Sequence, residues 1–238
     1  MSISSLLLER AQAEPETVFA ERKSADGAFE PVTVGRFAVD VMAAARGLVA
    51  FGVEPGDRVG IMGSTRYEWS VVDFACLCCG AVPVPVYPTS SREQLRWIIE
   101  DGGLRVLVVE TPEMRALTDD LVGERGLQHV LVLDEGAVDE LRSAGAAIPE
   151  TVVRQRASAT TMDSLASIVY TSGTTGRPKG VELTHGNFLI HAINGADDPD
   201  LGKVVTGTDK RTLLFLPLAH VFGPVSYTHL TLPTNREV

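Results

Sequence analysis

Short apolar runs alternate with longer stretches of helical spacing along most of this chain, and that alternation restricts the fold more than any other feature. Residues 17–22 (TVFAER), 57–63 (DRVGIMG), 82–87 (VPVPVY), 105–110 (RVLVVE), 129–134 (HVLVLD), 167–171 (SIVYT) and 212–217 (TLLFLP) are strand-like. Between them, residues 34–52 carry apolar side chains at helical spacing, with Thr33 placed as N-cap and Gly52 as a stop. The stretch SREQLRWIIEDGG opens on a capping-box pair, Ser91 and Gln94, and closes on two glycines. A further helix is predicted from Thr111 as N-cap, with Pro112 at its first position, to Gly123 or Gly126. Residues 69–87 read as a buried helix, a glycine stop and a buried strand. Asp73, Gly80, Pro83 and Pro85 interrupt that apolar segment, which argues against a membrane span. Short strands alternating with helices predict an α/β fold with a largely parallel sheet. Asp26 and Gly27 predict an antiparallel hairpin near the start. Residues 134–164, rich in Ala, Thr and charge, read as a surface connection, and the acidic residues 197–200 as a solvated loop.

Composition narrows the function. A formal net charge of -10 over 238 residues argues against broad nucleic-acid binding, which needs Lys and Arg to neutralise phosphates. The three cysteines, Cys76, Cys78 and Cys79, crowd into one apolar run. They have neither the spacing of a metal site nor the pairing of a disulfide framework, and read as buried thiols of a reducing compartment. The opening MSISSLLLERAQAE lacks the basic start and long apolar run of a secretory leader.

Chemistry concentrates in residues 168–187, IVYTSGTTGRPKGVELTHGN. The carboxyl ends of strands in α/β sheets are where ligands bind. Glycines allow close backbone approach and can present N–H groups to an anion. Thr171, Ser172, Thr174 and Thr175 supply hydroxyls, and Lys179 a point charge suited to phosphate oxygens. The spacing is neither the nucleotide P-loop nor G-x-G-x-x-G, because Arg177 and Pro178 separate Gly176 from Lys179 and Gly180 follows. Two readings compete: a phosphate-binding loop, or a surface turn with a solvated lysine. Trp69 and Trp97, at helical spacing among apolar neighbours, read as core. His129 reads as a strand-end residue, His191 as a helix-surface residue, and His185 is assigned no catalytic part.

The run YTSGTTGRPKGV closely resembles the phosphate-binding signature of the adenylate-forming superfamily of acyl-CoA synthetases, luciferases and peptide-synthetase adenylation domains. LTHGN (residues 183–187) and LPLAHVFG (residues 216–223) resemble two further motifs of that family. GVEPGDRVGIM and GAVPVPVYPTSSREQLRWIIEDGG resemble its long-chain fatty acyl-CoA ligase branch. The resemblance covers about residues 5–223. It implies an incomplete large N-terminal AMP-binding domain, with mostly parallel sheets flanked by helices, and no C-terminal domain.

The resemblance also implies an ATP-dependent acid–thiol ligase. It would activate a long-chain fatty acid as an acyl-adenylate with Mg²⁺ present and pass it to coenzyme A. Thr171, Ser172, Gly173, Thr174, Thr175, Gly176 and Lys179 would cradle the phosphates, and His220 would border the acyl pocket. A cytoplasmic location follows, with peripheral membrane contact for a fatty substrate. The alternatives are a fatty acyl-AMP ligase or amino-acid-activating domain, or a short non-catalytic nucleotide-binding protein. Several parts of the family pattern are not found in this sequence: an adenine-binding stretch, a Tyr-Gly-x-Thr-Glu motif, a ribose-binding Asp, and the late adenylation lysine. Residues 224–238, PVSYTHLTLPTNREV, show no helical period and read as a non-native tail. Alone, the chain is expected to be inactive.

Overall fold

The structure is a computed structural model and describes residues 1–23, 27–123, 126–171 and 177–198. Helix α1 (Ile3–Ala13) starts from Ser2, which forms a capping box with Ser5. The leucine run at the start of the chain now has a use, since Leu6 and Leu7 face the core. Strands β1 (Val18–Lys23) and β2 (Phe29–Thr33) pair antiparallel, Lys23 opposite Phe29, as the Asp-Gly signal predicts. Thr33 accepts the backbone N–H of Arg36 and launches α2 (Val34–Ala50).

The central unit begins at β3 (Arg58–Met62), passes through α3 (Tyr67–Cys79), and returns as β4 (Val82–Val86). Gly80 closes α3 at φ 79°. Next come α4 (Arg92–Gly102), β5 (Leu104–Val109), the short α5 (Pro112–Ala116) and β6 (His129–Val132). These strands form a parallel sheet in the order β4-β3-β5-β6. Both faces are covered, which explains why the strands are apolar without alternation. On β5, Val106 and Val108 pack toward α2 and α3, while Leu107 and Val109 pack toward α4. Pro83 and Pro85 lie on β4, an edge strand of this sheet, where a missing N–H leaves no ladder bond unmade.

Two expectations need correction. Helix α5 stops at Ala116 instead of reaching Gly123 or Gly126; beyond it the Leu117 and Thr118 N–H groups bond three residues back, to the Met114 and Arg115 carbonyls, and the helical ladder is not continued. Residues 134–164 are not a plain surface connection. They form α6 (Ala137–Ala144) and α7 (Glu150–Ala159), which bury Ala137, Leu141, Val153 and Ala157. A Cβ at Gly47 would overlap the Leu141 backbone, so α2 and α6 touch main chain to main chain. The buried Asp40 then ties three helices together. It accepts from Arg36 (3.0 Å), from Tyr67 (2.9 Å) and from Arg142 of α6 (2.9 Å).

After α7 come β7 (Leu165–Thr171), β8 (Lys179–Thr184) and α8 (His185–Asp197). β7 and β8 pair antiparallel and β7 lies against β4. The Ser167 hydroxyl donates to the Pro83 carbonyl at 3.2 Å, a side-chain bond along an edge where Pro83 and Pro85 offer no N–H.

Candidate functional site

The β7–β8 hairpin fixes the geometry of the predicted phosphate loop. Its register sets Tyr170 opposite Gly180 and Thr171 opposite Lys179. The Tyr170 ring explains Gly180: a Cβ there would lie 2.9 Å from Ile168 Cγ2 and 3.3 Å from Tyr170 Cζ. The buried Tyr170 hydroxyl donates to Asp101 Oδ2 of α4 at 2.7 Å. Burial, then this bond to Asp101, holds the phenol protonated well above its ordinary range. The hairpin is therefore pinned to α4 from beneath, while Thr171 and Lys179 face solvent at its open end. Of the predicted site residues, Ser172, Gly173, Thr174, Thr175, Gly176 and His220 lie outside the described residues.

Sequence reasoning missed a second attachment. Trp97 is half-buried and not simply core. Its indole Nε1 donates to the Pro178 carbonyl at 2.9 Å, and the Arg177 guanidinium lies 4.6 Å from its ring centroid. Both contacts fall on the two residues before Lys179. Among the described residues neither Arg177 nor Lys179 is paired with a carboxylate.

At the foot of the hairpin, Thr184 and Asn187 form the capping box of α8. His185 is buried there, and its Nδ1 accepts the Ile3 backbone N–H at 3.2 Å. Burial, with a smaller contribution from the chain's N-terminal charge, lowers its pKa to about 4. It is a neutral fastener between α1 and α8. His129 opens β6 and His191 lies exposed on α8, as read from the sequence. Trp69 is fully buried. The three cysteines are free and buried, and burial pushes Cys79 up to about 11, so its thiol stays un-ionised.

Two other regions invite a ligand. Around β3 the strand order reverses, and the general rule puts binding at the carboxyl ends of β3 and β5. Here the chain's own charges occupy that crevice. Glu110 accepts the Ser64 backbone N–H at 2.7 Å, and Arg66 reaches Asp134 (2.6 Å), Glu68 (2.8 Å) and Glu110 (3.6 Å). A cavity of about 520 Å³ lies at the opposite end of β7 from Thr171, between Gly80, Val82, Val152, Ala159, Leu165 and His185. Among the described residues, no group of three or more His, Cys, Asp or Glu gathers where it could hold a metal, and no helix is long and apolar enough to cross a membrane.

A sequence model described as AMP-binding enzyme matches residues 7–232, the hairpin included. The chain belongs to the AMP-binding enzyme family. This AMP-binding chain is 41% identical over 226 residues to the long-chain-fatty-acid–CoA ligase FadD15 of Mycobacterium tuberculosis, covering 93% of this chain and 37% of that protein. It therefore spans little more than a third of that relative. In fold it resembles the Mycobacterium tuberculosis fatty acyl CoA synthetase, with TM-score 0.75 and 22% identity over 97% of this chain and 43% of the other. It also resembles the o-succinylbenzoate CoA synthetase of Bacillus subtilis, solved in complex with its acyl-adenylate intermediate. There the TM-score is 0.74 and the identity 26%, over 95% of this chain and 53% of the other. The mixed α/β fold with a parallel sheet flanked by helices is the family's N-terminal architecture.

Proposed function

We propose that this chain is part of an ATP-dependent acid–thiol ligase that activates a long-chain fatty acid as its adenylate and transfers the acyl group to coenzyme A. The observation that carries the proposal is the hairpin register. It presents Lys179 beside Thr171 at the mouth of the Gly/Thr loop, exposed and with no carboxylate partner among the described residues. The 41% identical relative, a long-chain-fatty-acid–CoA ligase, supports the substrate class.

In the first step a carboxylate oxygen of the fatty acid forms a bond to the α-phosphorus of ATP. The bond from that phosphorus to the bridging oxygen breaks, and pyrophosphate leaves. Charge repels charge throughout, so catalysis is largely positioning and electrostatic stabilisation. Lys179 supplies a fixed positive charge against the β- and γ-phosphates. Thr171, Ser172, Thr174 and Thr175 add hydroxyls, and Gly173 and Gly176 allow close backbone approach. Mg²⁺ entering with the triphosphate would spread its negative charge. In the second step the thiol sulfur of coenzyme A attacks the acyl carbonyl. The thiol proton is lost and AMP departs. His220 borders the acyl chain. A fatty substrate suits a cytoplasmic enzyme that touches membranes peripherally.

The test is fatty-acid-dependent exchange of pyrophosphate into ATP by the full-length protein. Lys179→Ala should lower exchange by about a hundredfold, the loss typical of one electrostatic donor. Exchange by that variant at the unmodified rate removes Lys179 from the phosphate site. Exchange that requires no fatty acid contradicts the substrate assignment.

A further inference from the structure

Trp97 lies on α4, 81 residues before the Pro178 carbonyl it bonds, and nothing in the fold of α4 alone requires that contact. The helix is already anchored by Leu95, Ile98 and Ile99 in the core and by Asp101 to Tyr170. Trp97 adds two interactions aimed at the same short piece of chain. Its N–H fixes the Pro178 carbonyl at 2.9 Å, and its ring carries the Arg177 guanidinium at 4.6 Å. An indole face attracts a cation within about 6 Å of its centroid. The neighbouring Pro178 has a fixed φ, so the chain enters Lys179 along one direction. Lys179 follows immediately, and its backbone is set by pairing with Thr171.

From this we propose that Trp97 is a positioning residue of the phosphate site. It holds residues 177 and 178 so that the Lys179 ammonium meets polyphosphate without a search through loop conformations. This inference rests on the reading of Lys179 as a phosphate contact. Pre-organisation of this kind raises affinity by removing the ordering cost from the binding step. It also makes Trp97 a spectroscopic sensor, since its indole sits one residue from the cation that would receive the anion. The other tryptophan, Trp69, is fully buried elsewhere in the core.

The experiment titrates the 238-residue chain with magnesium pyrophosphate and with Mg-ATP and follows tryptophan emission, with far-UV circular dichroism as a check on folding. Wild-type emission should change on binding. Trp97→Phe keeps an aromatic face and loses the N–H; it should abolish the emission change and weaken binding about tenfold, by a competition assay that does not use fluorescence. Arg177→Gln, which leaves α4 untouched at an exposed position, should weaken binding about threefold. Wild-type affinity in a folded Trp97→Phe variant, or in Arg177→Gln should Trp97→Phe not fold, overturns the positioning role. Lys179→Ala separates the two claims. If it loses binding while Trp97→Phe keeps it, the phosphate site stands and the role of Trp97 falls. If Lys179→Ala binds like wild type, the phosphate reading falls and takes the proposal with it.

Discussion

Arg66, just after β3, and Lys179, at the head of β8, are both cations at strand ends, in opposite surroundings. Arg66 sits where a doubly wound sheet ordinarily receives a ligand, yet Glu68, Glu110 and Asp134 all reach it. Lys179 sits on a two-stranded hairpin beside the main sheet, and among the described residues no carboxylate reaches it. Position at a strand end is therefore a weak indicator of a site. A cation with no carboxylate partner among the described residues is the better one, since an anion at Arg66 would have to displace three carboxylates.

The comparison can be sharpened by changing what anchors each region. The largest effect is expected from pH. His185, beneath the hairpin, has its pKa lowered from 6.5 to about 4. Between those values the unfolded chain binds the proton and the folded chain does not, so stability rises with pH across that window. The contribution is fully present above about pH 6.5 and is lost as pH falls toward about 4. It should amount to about 3 kcal/mol, read as the shift in urea midpoint between pH 4 and pH 7. His185→Asn keeps an acceptor near Nδ1 and should flatten that part of the pH dependence. Pyrophosphate binding by the remaining folded protein should persist across that window.

Glu110→Ala comes next. It strips an acceptor from the Ser64 N–H and a partner from Arg66. The expected loss is about 2 kcal/mol by chemical denaturation, with pyrophosphate affinity unchanged. Weakened affinity would show that the two strand ends are coupled. Gly180→Ala forces a methyl against Ile168 and Tyr170 and should destabilise by about 1.5 kcal/mol. Tyr170→Phe removes only the bond to Asp101 and should lower stability by about 1 kcal/mol in thermal melts.

Much of this was legible in the sequence because the deciding interactions are local. The caps at Thr33, Ser91 and Thr111 stand where their motifs put them. The strands of the parallel sheet follow their apolar runs. Residues 134–164 were misread because α6 and α7 are short and each buries only two side chains, Ala137 and Leu141 in one and Val153 and Ala157 in the other. The tight approach of Gly47 to Leu141 exists only once the chain has folded. Trp97 does pack against the core, as its spacing suggests, but its second set of contacts was hidden for the same reason. Its helical spacing is genuine, but its partners Arg177 and Pro178 are distant in sequence and leave no local trace. The Gly/Thr loop was recognisable as a motif, and the hairpin register adds where Thr171 and Lys179 stand.

The most direct measurement is a chemical footprint of Lys179. The chain is treated with an amine-acylating reagent, with and without magnesium pyrophosphate, and the modification of each lysine is read by peptide mass spectrometry. If the hairpin presents Lys179 to polyphosphate, pyrophosphate protects Lys179 selectively while Lys203 and Lys210 react at unchanged rates. Equal acylation of Lys179 with and without pyrophosphate, at concentrations that saturate binding, would contradict its place in the site.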